Sequence, residues 1–93
     1  MTKTISEGSI EGIILIVNSI EDISKINLND KIIVTKRLDS QLLSYLFDVK
    51  GIIVEEGSLL SHVAIFLREA SIPCKLIPDA TKIYKQGDKI KID

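Results

Sequence analysis

The 93-residue sequence contains one cysteine, one histidine and no long apolar run. Cys74 cannot form an intrachain disulfide, and its position after Pro73 in an apolar context favours a small buried side chain over a reactive thiol. A metal site is also disfavoured, because His62 has neither a second histidine nor a cysteine at ligand spacing. The longest apolar runs, residues 13–17 and 63–67, are far too short to cross a bilayer.

The sequence has no excess of charge of either sign and no targeting segment. Its net charge of -1 argues against nucleic acid or an anionic membrane as a partner, since both select basic surfaces. The first eight residues, MTKTISEG, lack the hydrophobic region of a signal peptide, so we expect a cytoplasmic location. Because no repeat, low-complexity tract or linker is visible, we expect residues 1–93 to form one globular domain.

The apolar pattern predicts strands that alternate with helices. The predicted strands are residues 13–17, 31–35, 52–54, 74–77 and 88–93. The predicted helical segments are a short turn at 19–26, a helix carrying Leu42, Leu43, Leu46 and Phe47 and capped by Asp39 or Ser40, a helix from about 62 to 70, and a short piece at 81–85. This order predicts an α/β or α+β domain with one sheet system and helices packed on it.

The segment from Glu55 to Pro73, EEGSLLSHVAIFLREASIP, places His62 where a loop enters a helix. Ser61 is a good N-cap residue, which would make His62 the first helical residue. Unpaired backbone N–H groups and the positive end of the helix dipole suit a phosphoryl group there. Gly57 gives the loop backbone freedom, and Ser58 is small enough to let a phosphate approach. Histidine is a nucleophile suited to reversible phosphoryl transfer, and the hydroxyls of Ser58 and Ser61 could stabilise the phosphoryl oxygens.

Chemistry alone leaves other interpretations of these residues. An isolated histidine at a helix start is more often structural or merely exposed than functional. A serine hydrolase built on Ser61 and His62 is a poor fit, because adjacent helical residues do not face each other. Arg68 lies six positions beyond His62, so it could bind phosphate or form a structural salt bridge. Glu55 and Glu56 would repel phosphate unless they point away, and they could be solvated or paired with Arg68.

The order of residues around His62 also resembles the signature of a known protein family. The run GSLLSHVAIFLREASIP resembles the signature G-G-x-(T or L)-S-H-x-A-I-x-x-R-E-x-G-I-P of the mobile phosphohistidine domain of phosphoenolpyruvate-utilising enzymes. That family includes pyruvate phosphate dikinase, phosphoenolpyruvate synthase, Enzyme I of the sugar phosphotransferase system and rifampicin phosphotransferase. The matching residues are Gly57, Ser61, His62, Ala64, Ile65, Arg68, Glu69, Ile72 and Pro73. Further matches are Gly8 and Gly12 with an opening G-x-x-x-G, 30–34 with G-D-I-L-V, 79–81 with a closing A-T, and 87–93 with G-D-x-V-x-V-D.

The resemblance implies a fold and a role. The fold is the swivelling β/β/α domain, a compact sheet system with helices packed on one side. The role is phosphoryl carriage by His62 between an ATP-grasp nucleotide-binding domain and a phosphoenolpyruvate/pyruvate barrel or another acceptor site. Gly57 and Ser61 would shape the phosphate-facing loop, and Arg68 is a motif residue without an assigned role. The sequence has no Walker loop or kinase signature, so ATP and Mg are implied on partner domains, in the same parent chain or a separate subunit, and no cofactor or metal on this domain.

The sequence also departs from the family pattern. Ser58 replaces the second glycine of the Gly-Gly pair, and Ser71 replaces the glycine before Ile-Pro. Leu60 stands where several members have threonine, Asn29 where the family prefers glycine, and Lys75 where an apolar residue is expected. Ser58 is the change we expect to affect loop mobility or partner fit most, because serine restricts backbone angles that glycine allows. The alternative hypothesis is therefore a degenerate family member that serves as a binding or regulatory module without phosphoryl transfer.

Overall fold

Six strands form one sheet in the computed structural model of this protein, which describes residues 2–24, 26–38, 42, 44–46, 48–57 and 60–92. The strands are β1 (Lys3–Ser6), β2 (Ile10–Ile16), β3 (Lys31–Thr35), β4 (Gly51–Val54), β5 (Cys74–Leu76) and β6 (Lys89–Ile92). The helical elements whose bounds fall in the described residues are a 3-10 helix at Ile20–Asp22, α1 (Leu60–Glu69) and α2 (Ala80–Ile83). No helix within the described residues is long and apolar enough to cross a membrane.

The sheet has the order β1-β5-β4-β3-β2-β6. Strands β2, β3, β4 and β5 are neighbours in chain order and parallel to one another, whereas β1 and β6 pair antiparallel at the two edges. Because successive parallel strands progress in one direction, right-handed crossovers place the three connections between them on the same face of the sheet. The parallel strands also bring their carboxyl ends to one edge, and α1 follows one of those ends.

The main core lies on that first face. Alternating strand residues such as Leu15, Ile33 and Ile52 meet the buried side of α1, including Val63 and Leu67. The connections complete this cluster, with Ile23 and Leu28 after β2, Leu38, Leu42, Leu46 and Val49 after β3, and Ile72 after α1. Each large aliphatic side chain buried in this way contributes about 1.5–3 kcal/mol of transfer free energy. The core therefore anchors α1 through Val63, Ala64 and Leu67.

The second face has a smaller core. Residues that alternate with those of the first face, including Ile14, Ile32 and Ile53, pack there with Ala80 of α2. The chain must cross this face after β5, because β5 and β6 lie on opposite sides of the three central strands. The expected α+β class is confirmed. The expectation of helices on one side applies to α1, whereas the short α2 lies on the opposite face as part of this return crossing.

Most of the predicted strands are confirmed, with shifted ends. The strand predicted at 31–35 coincides with β3, and those predicted at 52–54, 74–77 and 88–93 correspond to β4, β5 and β6. Strand β2 begins at Ile10, three residues earlier than expected, because the segment pairs with β6 from Ile10 onwards. Strand β1 was not predicted, since its four residues, KTIS, have no strong apolar alternation.

The helical predictions differ more. The turn predicted at 19–26 contains the 3-10 helix, and the piece predicted at 81–85 is α2, which begins one residue earlier. For the helix predicted around residues 42–47, Leu42 and Leu46 are buried as expected. Its proposed caps Asp39 and Ser40, and its apolar residues Leu43 and Phe47, lie outside the described residues.

Candidate functional site

His62 lies in the first turn of α1, on the solvent side of that helix. Val63, Ala64 and Leu67 are buried against the sheet, and His62 is exposed. This spacing is typical of an amphipathic helix whose opposite face meets water. The first four N–H groups of a helix have no partner within the helix itself, and His62 lies among the residues that carry them. The predicted exposure of His62 is therefore confirmed.

The predicted start of this helix was wrong. The helix begins at Leu60, so Ser61 is its second residue and His62 its third, not the N-cap and first residue. The helix begins two residues earlier than predicted. The reason is that the preference of serine for N-caps is a weak local signal, whereas leucine is a good helix former. Residues 58 and 59, directly before Leu60, lie outside the described residues. The roles predicted for Ser58 and for the Ser61 hydroxyl stay predictions.

The loop before α1 is fixed at its start against the end of β3. The N–H of Glu55 donates to the carbonyls of Thr35 and Lys36, each at 3.2 Å, and the N–H of Glu56 donates to that of Lys36 at 2.8 Å. Gly57 follows and is exposed. The main chain entering the site is thus held by backbone hydrogen bonds up to Glu56. The phosphate-facing role of Gly57 stays a prediction.

The carboxylate of Glu55 is bound by α2. It accepts hydrogen bonds from the N–H of Thr81, at 2.7 Å, and from the Thr81 hydroxyl. Thr81 lies in the first turn of α2, so Glu55 caps that helix from the end of β4. The hydrogen bond from the Thr81 side chain lowers the pKa of Glu55, and the Thr81 backbone N–H, Lys36 and Lys82 lower it further, against a smaller opposing effect of desolvation. Sequence reasoning missed Thr81, although it falls in the closing A-T match.

The other two charged residues weighed from the sequence have separate partners. Glu56 forms an exposed ion pair with Arg37 at 3.6 Å. The Nε of Arg68 donates to the main-chain carbonyl of Ile5 at 3.1 Å, which ties α1 to β1. The pairing of Glu55 or Glu56 with Arg68, which the sequence left open, is therefore not observed: each of the three residues has a different partner. Two roles were considered for Arg68, phosphate binding and a structural salt bridge. The observed contact is structural, but its acceptor is a backbone carbonyl and not a carboxylate.

At the C-terminal end of α1, Ser71 stands where the family signature has glycine, and the backbone there shows why glycine suits the position. Ser71 has a φ of 58°, in the left-handed region that favours glycine. Its N–H donates to the carbonyl of Arg68 at 3.2 Å, and the N–H of Ile72 donates to that of Leu67 at 2.9 Å. These two bonds, with both Leu67 and Ile72 buried, form a Schellman motif that ends the helix. The family's glycine suits this position, and Ser71 occupies it under backbone strain.

Two further motif glycines have packing roles. Gly8 has a φ of 134°, and a Cβ there would lie 3.0 Å from Cγ of Pro73. A Cβ on Gly12 would lie 2.6 Å from the carbonyl oxygen of Asp30, where β2 meets the turn before β3. Both distances are shorter than a real side chain tolerates without movement of its neighbour. Chain packing thus accounts for glycine at both positions of the opening G-x-x-x-G match.

Among the residues that the structure describes, no group of three His, Cys, Asp or Glu side chains could hold a metal ion. Cys74 is buried as predicted, and burial raises the pKa of its thiol to about 12. The thiol is therefore neutral and shielded at physiological pH.

The described residues form a small α+β domain in which His62 is exposed in the first turn of α1. Residues 27–93 match the family model of the PEP-utilising enzyme, mobile domain. The chain belongs to this family. Membership supports a domain related to those of phosphotransferases.

The relatives found by sequence are much longer proteins. A pyruvate kinase of Staphylococcus haemolyticus is 33% identical over 90 residues, which are 96% of this chain and 15% of that protein. A rifampicin phosphotransferase of Bacillus cereus is 32% identical over 90 residues, 95% of this chain and 10% of that protein. A probable phosphoenolpyruvate synthase of Methanothermobacter thermautotrophicus is 33% identical over 89 residues, 95% of this chain and 13% of that protein. The chain thus spans 10–15% of these relatives.

A solved structure shares the fold. The solution NMR structure of a UPF0107 protein superimposes with a TM-score of 0.69, covering 100% of this chain and 92% of that one. The sequence identity is 18%, so this likeness concerns the fold alone.

Proposed function

We propose that this chain is the phosphoryl-carrier domain of a phosphoenolpyruvate-utilising phosphotransferase, with His62 as the residue that accepts the phosphoryl group. The observation that carries the proposal is the exposed position of His62 in the first turn of α1, while the opposite side of the same helix is buried. Family membership supports it. The alternative, a module that keeps the fold without carrying phosphate, is tested by the same experiment.

The proposed step is an in-line displacement at phosphorus. The lone pair of one imidazole nitrogen of His62 attacks the phosphorus, a P–N bond forms, and the bond from phosphorus to the donor's oxygen breaks with its electrons on that oxygen. The N–H groups of the first turn of α1 would stabilise the charge on the phosphoryl oxygens. Attack on phosphorus by a nucleophilic atom of the acceptor then forms a new bond to phosphorus and breaks the P–N bond, whose electrons return to the imidazole nitrogen.

The donor and acceptor sites belong to other domains in this proposal. We expect an ATP-grasp domain that holds ATP and Mg, and a phosphoenolpyruvate/pyruvate barrel or another acceptor site, in the same parent chain or a separate subunit. The exposed side of α1 would contact them, since Ile65 lies three positions from His62 on the same side and is 60% exposed. The setting would be the cytoplasm, where ATP and phosphoenolpyruvate are available.

The test is intact-mass analysis at alkaline pH after incubation with extract of the source cells and either ATP or phosphoenolpyruvate. The expected result is the gain of one phosphoryl group by the wild type and none by His62→Ala. Because His62 is exposed, the variant should fold as the wild type does, which circular dichroism and thermal unfolding check. If neither donor adds mass to folded protein, in an extract that phosphorylates a known family member, the carrier proposal is wrong and the binding module is favoured.

A further inference from the structure

The loop that leads to His62 carries two carboxylates, and one of them is held away from α1. Glu55 follows β4 directly, and its carboxylate reaches Thr81 on α2. Helix α2 packs on the second face of the sheet through Ala80, whereas α1 packs on the first face through Val63. The side chain of Glu55 is thus directed towards the face opposite to the one that carries His62.

We propose that Thr81 is a positioning residue for phosphoryl transfer, which keeps the negative charge of Glu55 away from the phosphoryl group that His62 accepts. The inference rests on the function proposed above. The incoming group carries two negative charges near neutrality, and a carboxylate free to move at the start of the same loop would oppose its approach. After the two hydrogen bonds from Thr81, the charges of Lys36 and Lys82 also lower the pKa of Glu55, which favours its charged form.

The second carboxylate of the loop, that of Glu56, forms an ion pair with Arg37. The Nε atom of Arg37 lies 3.6 Å from an oxygen of the Glu56 carboxylate, and the Glu56 side chain is 61% exposed. Such an exposed pair is weak and exchanges with water, so it restrains the charge less than two hydrogen bonds do. The contact between Glu55 and Thr81 is therefore the stronger restraint on charge in this loop, and it is the one to remove.

The experiment compares initial rates of phosphoryl acceptance, by intact mass, in four proteins supplied with the productive donor. Thr81→Val removes the hydroxyl and leaves only the main-chain N–H to hold Glu55. Because a carboxylate released from this hydroxyl is free to move towards the phosphoryl group and repel it, we expect Thr81→Val to slow acceptance about two- to five-fold at low salt, where screening is weakest. Thr81→Ser keeps the hydroxyl and should behave as wild type. The double variant Glu55→Gln/Thr81→Val has no carboxylate to release and should recover the wild-type rate.

Two readouts separate this role from a merely structural one. The defect of Thr81→Val should shrink as salt is raised, because screening weakens repulsion and not packing. Recovery in the double variant has the same meaning, since a structural defect would persist or increase. If Thr81→Val is too unstable, Glu55→Asp replaces it: the shorter side chain keeps the charge but cannot reach Thr81, and it should also slow acceptance.

The outcomes distinguish this inference from the proposed function. A wild type that accepts no phosphoryl group overturns both. Acceptance by the wild type with an unchanged rate in Thr81→Val, or with a slow rate in the double variant, overturns the role of Thr81 alone. A slow Thr81→Val with a salt-dependent defect, together with recovery in the double variant, establishes it.

Discussion

Replacing Ser71 with glycine should stabilise the protein. Ser71 holds a φ of 58° in the Schellman motif at the end of α1, a conformation that costs an L-residue about 1–2 kcal/mol. Glycine removes that cost, but its freer unfolded chain returns about 0.5–1 kcal/mol. The expected net gain in the free energy of unfolding is about 0.5–1 kcal/mol, which corresponds to a rise in Tm of about 3–6 °C for a domain of this size.

The assay is urea and thermal unfolding followed by circular dichroism, with Ala70→Gly as the matched control. Ala70 is the neighbouring exposed residue and does not adopt a positive φ, so glycine there should lower stability by about 0.5–1 kcal/mol. Opposite signs at two adjacent positions would identify backbone strain as the cause. A Ser71→Gly variant that is no more stable than wild type, or that loses stability as Ala70→Gly does, would refute the reasoning.

Three further predictions concern residues around the site. The lowered pKa of Glu55 means that its contribution to stability is present above the ordinary glutamate range and is lost as pH falls through the folded-state pKa. Glu55→Gln should therefore cost about 0.5 kcal/mol near neutrality and nothing in strong acid, a difference that urea unfolding at the two pH values measures. An equal cost at both pH values would contradict this role of Glu55. Gly12→Ala should lower the free energy of unfolding by about 1–3 kcal/mol, because its Cβ would press on the carbonyl of Asp30; an unchanged urea midpoint would contradict this packing. Cys74 should react with a thiol reagent only after unfolding, and rapid labelling of the native protein would show that its burial is wrong.

The sequence predicted those parts of the fold where one local signal dominates. The run Lys31–Thr35 is bounded by turn residues and rich in β-branched side chains, and it became β3 without any shift. The placement of α1 after β4 followed from apolar spacing in the same way. In contrast, β1 depends on antiparallel pairing with β5, about seventy residues along the chain, and nothing local announces that pairing.

For the site, the histidine was predictable and its surroundings were not. His62 stood out because it is the only histidine and because the signature surrounds it. The partner of Glu55 is 26 residues away on the other face of the sheet, and the partner of Arg68 is 63 residues away in β1. Contacts of this kind depend on the tertiary fold, so sequence spacing could suggest only that the glutamates and Arg68 might pair with one another.

The central claim is that His62 carries phosphate, and the most direct measurement locates the phosphoryl group. We would digest the phosphorylated domain at alkaline pH and sequence by mass spectrometry the peptide that contains Ser61 and His62. If His62 is the carrier, one phosphoryl group is found on His62, and brief exposure to acid removes it because acid hydrolyses the P–N bond. An acid-stable phosphate on Ser61 or Ser58, or uptake that persists in His62→Ala, would contradict it.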